Sequence, residues 1–194
     1  MLMLPDLAGQ PKLGFENYNY WGLSGAGELV PMIHFETKNN WYAELRYNYE
    51  ELRTMSFFAG KSITGGDGLQ FSLTPLAGFS AGRFTGVSLA ANAQVDWKKL
   101  YLSSQTQYSM ATKKNIKNFF FSWTELGYNI SQHFFSGLAA QFTRTKGQND
   151  LQPGILTGLS FKDLSVPFYV FSPFQSGRYY IVGLNFEYRL KKRN

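Results

Sequence analysis

The sequence predicts an all-β protein, an antiparallel transmembrane β-barrel of about 12 strands, with about 10 to 14 strands possible. Apolar and polar residues alternate along most of the chain, and the apolar rows end in aromatic residues. Short connections also alternate with longer ones, as a transmembrane barrel requires. Aromatic residues form 18% and charged residues 16% of the 194 residues, which is what one lipid-facing and one lumen-facing row per strand would give.

The alternation is clearest between residues 40 and 50, where every second side chain is compatible with lipid. One face carries Trp41, Ala43, Leu45, Tyr47 and Tyr49, and the other carries Tyr42, Glu44, Arg46, Asn48 and Glu50. The segments 69–80, 87–97, 99–110, 133–144 and 177–190 follow the same period of two. Most segments are about ten residues long, the length that a tilted barrel strand needs to cross the hydrocarbon core.

Three segments fit the strand pattern less well. Pro75 and Pro167 lie inside predicted strands, and because proline donates no amide hydrogen bond, each requires a bulge or a strand end nearby. In residues 117–128 an aromatic row would share a face with Glu125. The phase of that strand stays open, and the pattern implies either a bulge or a ligand-facing aromatic row.

The lengths of the connections predict which end of the barrel faces the periplasm. Short turns are expected there at 38–40, 96–99, 129–132 and 162–163, and longer external loops at 22–27, 111–117, 146–150 and 173–177. Two connections break the rule: 50–53 is short for an external loop, and 64–68 is long for a turn. An even number of strands also places both termini in the periplasm.

One domain is expected, with an N-terminal periplasmic segment at 1–11, the barrel at 12–190 and a basic C-terminal tail at 191–194. The start lacks a basic region and a long apolar stretch, so we expect a signal peptide to have been removed or truncated. The longest apolar runs, such as 166–171, are far shorter than the roughly 20 residues of a transmembrane helix. A helical membrane protein is therefore excluded.

The basic residues concentrate in loops and at strand ends, and the formal net charge is +6. The predicted external rim consists of Arg83, Lys113, Lys114, Lys117, Arg144, Lys146 and Arg178. This rim could bind lipopolysaccharide phosphates, since each Lys or Arg at an anionic surface is worth about 1 kcal/mol. The alternative is that the loops are charged only because they are solvated. Nucleic-acid binding is not expected, because no basic stripe is interleaved with exposed aromatic residues.

A second group of charged residues is predicted to meet inside the barrel, in its periplasmic half, once the last strand closes beside the first. This lumen charge network consists of Glu16, His34, Glu36, Glu44, Arg46, Glu187 and Arg189. It is either a salt-bridge network that fills a small barrel or a charged constriction that selects ions or small polar solutes. Small lumen residues leave room for water on the opposite wall: Gly86, Ser88, Ala90, Gly137, Ala139, Gly154 and Gly158.

Signals for catalysis are weak. The chain contains only two histidines, His34 and His133, and no cysteine. His34 is predicted to point into the lumen and His133 to lie at a turn, so a polar wall or rim role is favoured over a catalytic base. No nucleophile elbow, zinc-protease helix, phosphate loop or cluster of metal ligands occurs in the sequence. We therefore expect no enzyme activity, no cofactor and no metal.

The strand pattern, the alternating connections and the terminal strand from Tyr179 to Leu190 resemble small outer-membrane β-barrel proteins of double-membraned bacteria. The resemblance is to a class and covers essentially the whole chain. It implies a location in the bacterial outer membrane, and as partners its lipids, lipopolysaccharide and the barrel-assembly machinery. Members usually end on an aromatic residue, whereas here Tyr188 is followed by Arg189, Leu190 and a basic tail.

The leading functional hypothesis is a non-catalytic barrel, either a narrow passive channel for ions or small polar solutes or a structural and interaction scaffold. A first alternative is an outer-membrane lipid-modifying enzyme, an acyl hydrolase or transferase. A second alternative is a soluble β-barrel that binds an apolar ligand, in which the apolar rows face inward and the row of Glu44 and Arg46 faces water. The oligomeric state stays open.

Overall fold

The computed structural model describes residues 10–22 and 27–190. Residues 1–9 of the predicted N-terminal segment 1–11 lie outside the described residues, as does the whole predicted tail 191–194. The described residues form one 13-stranded antiparallel sheet. No helix among them is long and apolar enough to span a bilayer.

The strands follow one another around the sheet in chain order. They are β1 Lys12–Trp21, β2 Glu28–Glu36, β3 Trp41–Tyr47, β4 Thr54–Lys61, β5 Ile63–Gly65, β6 Leu69–Gly82, β7 Gly86–Trp97, β8 Leu100–Ala111, β9 Phe119–Asn129, β10 Phe134–Thr145, β11 Gln148–Phe161, β12 Leu164–Phe171 and β13 Tyr179–Arg189. β13 lies beside β1, and β4 pairs with β6, so the sheet closes into a 12-stranded barrel. The short β5 continues the line of β4 and also pairs with β6. The predicted antiparallel barrel of about 12 strands is confirmed.

The two prolines noted in the sequence lie at interruptions of the ladder. The ladder that β6 forms with β4 pairs Leu76 and resumes with β5 at Leu73, and so passes over Pro75. The ladder between β12 and β13 pairs Ser165 and resumes at Phe168, and so passes over Pro167. Because proline has no amide donor, a closed barrel accommodates it only where a neighbouring ladder is broken in this way.

The connections separate into two ends of the barrel, which we call the outer and the inner end. The outer end carries 48–53, 83–85, 112–118, 146–147 and 172–178, and the inner end carries 37–40, 66–68, 98–99, 130–133 and 162–163. β1 ends and β2 begins at the outer end, and residues 23–26 of the predicted external loop 22–27 lie outside the described residues. The long external loop predicted at 146–150 is wrong, because β10 and β11 continue to a two-residue turn and residues 148–150 belong to β11. The two connections whose predicted lengths broke the rule fit it in the structure, since the outer connection 48–53 has six residues and the inner connection 66–68 has three.

The outer wall is apolar and ends in aromatic residues near the inner end. Lysines lie over these rings, with Lys61 Nζ 5.8 Å from the Trp41 centroid, Lys98 Nζ 4.9 Å from Trp97 and Lys99 Nζ 6.0 Å from Tyr128. Trp41 and Trp97 are exposed, whereas Glu44 and Arg46 are each only 2% exposed. This is the arrangement of a lipid-facing barrel with an aromatic belt. The alternative of a soluble barrel requires inward apolar rows and is wrong.

Strand β9 has an uninterrupted register with both of its neighbours. Its inward row is Phe119, Phe121, Trp123 and Glu125, so the open phase resolves to a lumen-facing aromatic row without a bulge. The outward row includes Ser122 and Thr124, which form hydrogen bonds with Thr106 and Ser104 of β8 at 3.2 and 3.0 Å. These mutual bonds satisfy hydroxyl groups that would otherwise face lipid without a partner.

Tyr49 was predicted to face lipid with Tyr47, and this prediction is wrong. Strand β3 ends at Tyr47, and the next residue, Asn48, has a φ of 60°. This left-handed residue breaks the alternation, since a period of two holds only while the backbone remains extended. Tyr49 therefore turns into the lumen, where its hydroxyl group donates a hydrogen bond to Gln105 Oε1.

Candidate functional site

The lumen contains two cavities that adjoin near the middle of the barrel. The outer cavity has a volume of about 690 Å³, and the inner cavity has a volume of about 160 Å³. Tyr20 and Tyr49 line both cavities, so they mark the place where the two meet. We call this pair the tyrosine constriction.

Both rings of the tyrosine constriction are held by further aromatic contacts. Tyr20 stacks on Tyr179 with centroids 6.3 Å apart, and Tyr49 meets Phe121 edge-on at 6.2 Å. The Tyr179 hydroxyl group in turn donates to Gln141 Oε1 at 3.2 Å. Aromatic pairs with this offset or edge-on geometry are favourable beyond simple burial. The constriction is therefore built on packed side chains from several strands and does not depend on one loop.

Arg46 is a fully enclosed charge of the lumen. Its guanidinium group bonds Glu44, lies 3.6 Å from Glu50 Oε1 and donates to Gln107 Oε1 at 2.8 Å. It also lies over the ring of Tyr49 at 4.4 Å from the centroid. A buried guanidinium group is tolerated only when it is paired in this way. These contacts fix the side chains just beside the tyrosine constriction.

A second set of charges lines the inner cavity. Glu16 Oε1 lies 3.8 Å from His34 Nδ1, and Lys12 Nζ lies 3.8 Å from Glu36 Oε2. The Tyr18 hydroxyl group donates to Glu16 Oε2 at 3.2 Å. The inner cavity is thus polar and carries both signs of charge.

The facing wall of the inner cavity is aromatic and is organised around Glu125. This carboxylate accepts hydrogen bonds from Trp123 Nε1 and from the Tyr169 hydroxyl group, both at 2.7 Å. The ring of Trp123 packs edge-on against Tyr169 and Phe171, at 5.1 and 5.4 Å between centroids. The hydrogen-bond donors that hold Glu125 are therefore neutral, and its carboxylate lines the inner cavity.

The barrel was compared with known proteins. The KdgM porin in complex with disordered oligogalacturonate has a TM-score of 0.64 at 10% sequence identity, covering 90% of this chain and 98% of that chain. The KdgM porin alone has a TM-score of 0.58 and the NanC porin one of 0.57, each with the same identity and coverage. This chain has the porin fold. At such low identity the likeness shows the fold alone, and no family model and no curated protein sequence matches the chain.

Within the porin fold, the predicted lumen charge network divides into separate groups. Glu187 and Arg189 line a cleft at the inner end together with Glu16 and His34. Arg46 does not join them, because its partners Glu50 and Gln107 line the outer cavity. The expectation that the whole set lies in the periplasmic half is therefore wrong for Arg46.

The predicted lumen charge network left out Lys12, Glu50 and Glu125, and Tyr49 was placed on the lipid face. For Lys12 a signal was present, since it lies four residues before Glu16 and therefore on the same face of β1. For Glu125 the signal was the aromatic row whose phase stayed open. Glu50 and Tyr49 belong to the connection after β3, where the backbone is no longer a strand and the alternation does not determine the direction of a side chain.

The seven residues of the predicted external rim all lie at the outer end of the porin barrel. Arg144 is the last residue but one of β10, and the other six residues lie in outer connections. Arg83 and Lys117 also line the outer cavity. Binding of lipopolysaccharide phosphates by this rim stays a prediction.

Neither histidine is placed beside a serine hydroxyl as a catalytic base would be. His34 contacts Glu16 and stacks on Tyr42 at 5.6 Å, and His133 Nδ1 lies 3.1 Å from the Ser160 carbonyl oxygen. In the part of the chain that the structure describes, no group of three or more potential ligands could hold a metal ion. The geometry offers no positive support for the alternative of a lipid-modifying enzyme.

Proposed function

We propose that this protein is a passive channel of the bacterial outer membrane for small polar solutes. The observation that carries the proposal is the pair of adjoining lumen cavities that meet at Tyr20 and Tyr49. A barrel that served only as a scaffold could fill its lumen with side chains, whereas here polar side chains line open space. The small residues predicted to leave room for water do not line it, and Gly154 and Gly158 pack against Phe171 and Phe135. The porin fold supports the same proposal.

The tyrosine constriction sets the size of the solute in this proposal. Tyr20 comes from β1 and Tyr49 from the connection after β3, and both side chains line the two cavities. Aromatic and polar lining groups at a narrow point select by diameter and by hydrogen bonding. Ions and small polar molecules pass such a point, whereas large oligomers do not.

Single-channel conductance in a planar lipid bilayer tests the proposal. Purified protein is expected to give stable current steps, and the variant Tyr49→Ala is expected to raise the step size by at least about twofold, because the narrowest point widens. Tyr47→Ala is the matched control, since Tyr47 lies two residues earlier but faces lipid with 40% of its surface exposed.

Two results would contradict the proposal. A folded barrel that stays electrically silent, both as wild type and as Tyr49→Ala, would favour the scaffold hypothesis. Equal step sizes in wild type and Tyr49→Ala would show that the tyrosine constriction is not the narrowest point of the channel. Folding of each variant is checked by the heat-dependent change of its mobility in gel electrophoresis.

A further inference from the structure

The sign of the charge inside the barrel is opposite to that of the whole chain, which is +6. Among the described residues, the carboxylates that face the lumen or line its cavities and inner cleft are Glu16, Glu28, Glu36, Glu44, Glu50, Glu51, Asp96, Glu125, Asp163 and Glu187. The basic side chains that do so are fewer: Lys12, Arg46, Arg83, Lys117, Lys162 and Arg189. The remaining basic residues lie mainly at the two ends. The lumen therefore has a negative potential, which low-dielectric walls focus along the path.

Two of the basic side chains inside the barrel are engaged by carboxylates. Arg46 contacts both Glu44 and Glu50, and Lys12 lies against Glu36. Glu125, in contrast, accepts hydrogen bonds from two neutral donors, Trp123 and Tyr169. The excess of negative charge therefore persists beyond the paired groups.

A separate observation points to a ligand in the inner cavity. Asn185 is only 9% exposed, lines this cavity, and lies directly across the β1–β13 ladder from Glu16. Its Nδ2 donates to the Tyr18 hydroxyl group at 3.3 Å, which fixes the orientation of the amide. Its Oδ1 has no hydrogen-bond partner in the protein. A buried acceptor without a donor is costly, and here it lies beside a carboxylate that also accepts.

Acceptors and ring faces thus converge on one space. Asn185 Oδ1 and the Glu16 carboxylate both require donors, and the rings of Tyr18 and Trp123, 5.7 Å apart, border the same cavity. An ammonium group supplies several N–H donors and a positive charge, and it is also attracted by the faces of aromatic rings. An anion would meet acceptors and a negative potential at the same place.

We propose that the channel conducts cations in preference to anions and that its inner cavity binds the ammonium group of a small organic cation. This inference rests on the proposed channel function, which it deepens by naming the solute class. The Glu16 carboxylate supplies charge, Asn185 Oδ1 accepts an N–H, and Tyr18 orients both of them. The outer cavity admits the cation and the tyrosine constriction limits its width.

The reversal potential in a tenfold KCl gradient tests the preference. Wild-type channels are expected to show the sign of a potassium-preferring pore, with K⁺ permeability exceeding Cl⁻ permeability by at least about threefold. Glu16→Gln is expected to lower that ratio by about half or more. Asp67→Asn is the matched control, because Asp67 is an exposed carboxylate of the 66–68 turn at the same end of the barrel, and its ratio should equal that of wild type.

Spermidine serves as the probe for the inner cavity, since it is a small cation with several ammonium groups. It is expected to block the KCl current, with Asn185→Leu weakening the block and Asn185→Asp strengthening it, each by about fivefold. Shifts in opposite directions are not what a general disturbance of the fold would produce. Both variants are checked for folding by their heat-dependent gel mobility.

The outcomes separate the two proposals. Conducting channels that prefer Cl⁻ would overturn the cation preference and leave the proposed channel standing. Conducting channels that prefer K⁺ but give the same spermidine block in all three proteins would overturn the binding site. Folded protein without any conductance would overturn the proposed function and the inference that rests on it.

Discussion

At the scale of single residues, the cluster around Arg46 shows how the lumen tolerates buried charge. The side chain is 2% exposed and touches two carboxylates, an amide and two aromatic rings. Removal of one member of such a cluster is far more costly than removal of an exposed ion pair, because the remaining charges stay buried without compensation.

Arg46→Met is expected to lower the free energy of unfolding by about 3–5 kcal/mol, because Glu44 and Glu50 would then face each other without a cation. Arg83→Met, a change of the same chemistry in an exposed outer connection, is expected to alter it by no more than about 0.5 kcal/mol. Urea titration of protein folded in lipid vesicles, followed by tryptophan fluorescence, measures both. Similar values for the two variants would show that the Arg46 cluster contributes little.

The sequence predicted the partnership of Glu44 and Arg46, because the two residues lie two positions apart and share one face of β3. It placed Glu50 on the same face but did not predict the contact of Glu50 with Arg46, which depends on the left-handed Asn48 and the path of a loop. Contacts along one strand can thus be predicted from the alternation, whereas contacts through a connection cannot.

At the scale of strands, the break between β4 and β5 brings two backbones very close together. A Cβ atom built on Gly60 would lie 1.9 Å from the Pro75 carbonyl oxygen, which belongs to the rigid backbone of β6. Only glycine fits a ladder at such a distance. Gly60 therefore allows the close approach of the two backbones beside Pro75.

Gly60→Ala is expected to lower the free energy of unfolding by about 1–3 kcal/mol, because neither backbone can move away without breaking ladder bonds. Gly177→Ala is the control, since no atom lies within 4 Å of its added methyl group. The same urea titration compares the two. A loss in Gly177→Ala as large as that in Gly60→Ala would rule out the close approach as the cause.

The strand alternation predicted which side chains face lipid in most strands, because each strand has one apolar and one polar environment. The ends of the strands were less predictable. Residues 148–150 contain Asn149 and Asp150 and were expected in a loop, yet they extend β11, since at the outer end a strand can leave the membrane and continue its pairing in water. Polarity marks the membrane boundary and does not mark the end of a strand.

At the scale of the whole molecule, the apolar wall fixes the depth of the barrel in the bilayer. Leu138 lies near the middle of β10 and is 61% exposed, whereas Leu100 is the first residue of β8, beside an inner turn. The cost of a charge on the lipid face depends on its depth. The two leucines therefore report on the middle and the edge of the apolar wall.

Leu138→Arg is expected to lower the free energy of unfolding in vesicles by about 2–4 kcal/mol, and Leu100→Arg by no more than about 1 kcal/mol. Reversible unfolding by guanidinium chloride in lipid vesicles measures the difference. If the two arginine variants are equally stable, the wall near Leu138 does not face the hydrocarbon core.

The sequence predicted the closed barrel but not the contacts across its lumen. Closure follows from the strand count and the alternation, since a lipid-facing sheet has no tolerated edge. The hydrogen bond from Tyr169 to Glu125 joins strands β12 and β9, which are not neighbours in the sheet, so its geometry depends on the tilt and stagger of all strands together.

The pairing of β1 with β13 also dictates the order in which the protein can be assembled. The Asn185–Tyr18 bond spans 167 positions of the chain, and the seam that contains it needs the final strand of 11 residues. Until β13 pairs with β1, the sheet has two edges with unpaired backbone N–H and C=O groups, and lipid cannot supply hydrogen-bond partners for either edge. Insertion one strand at a time is therefore unfavourable, and the first and last strands of the barrel must pair before its whole wall can face lipid.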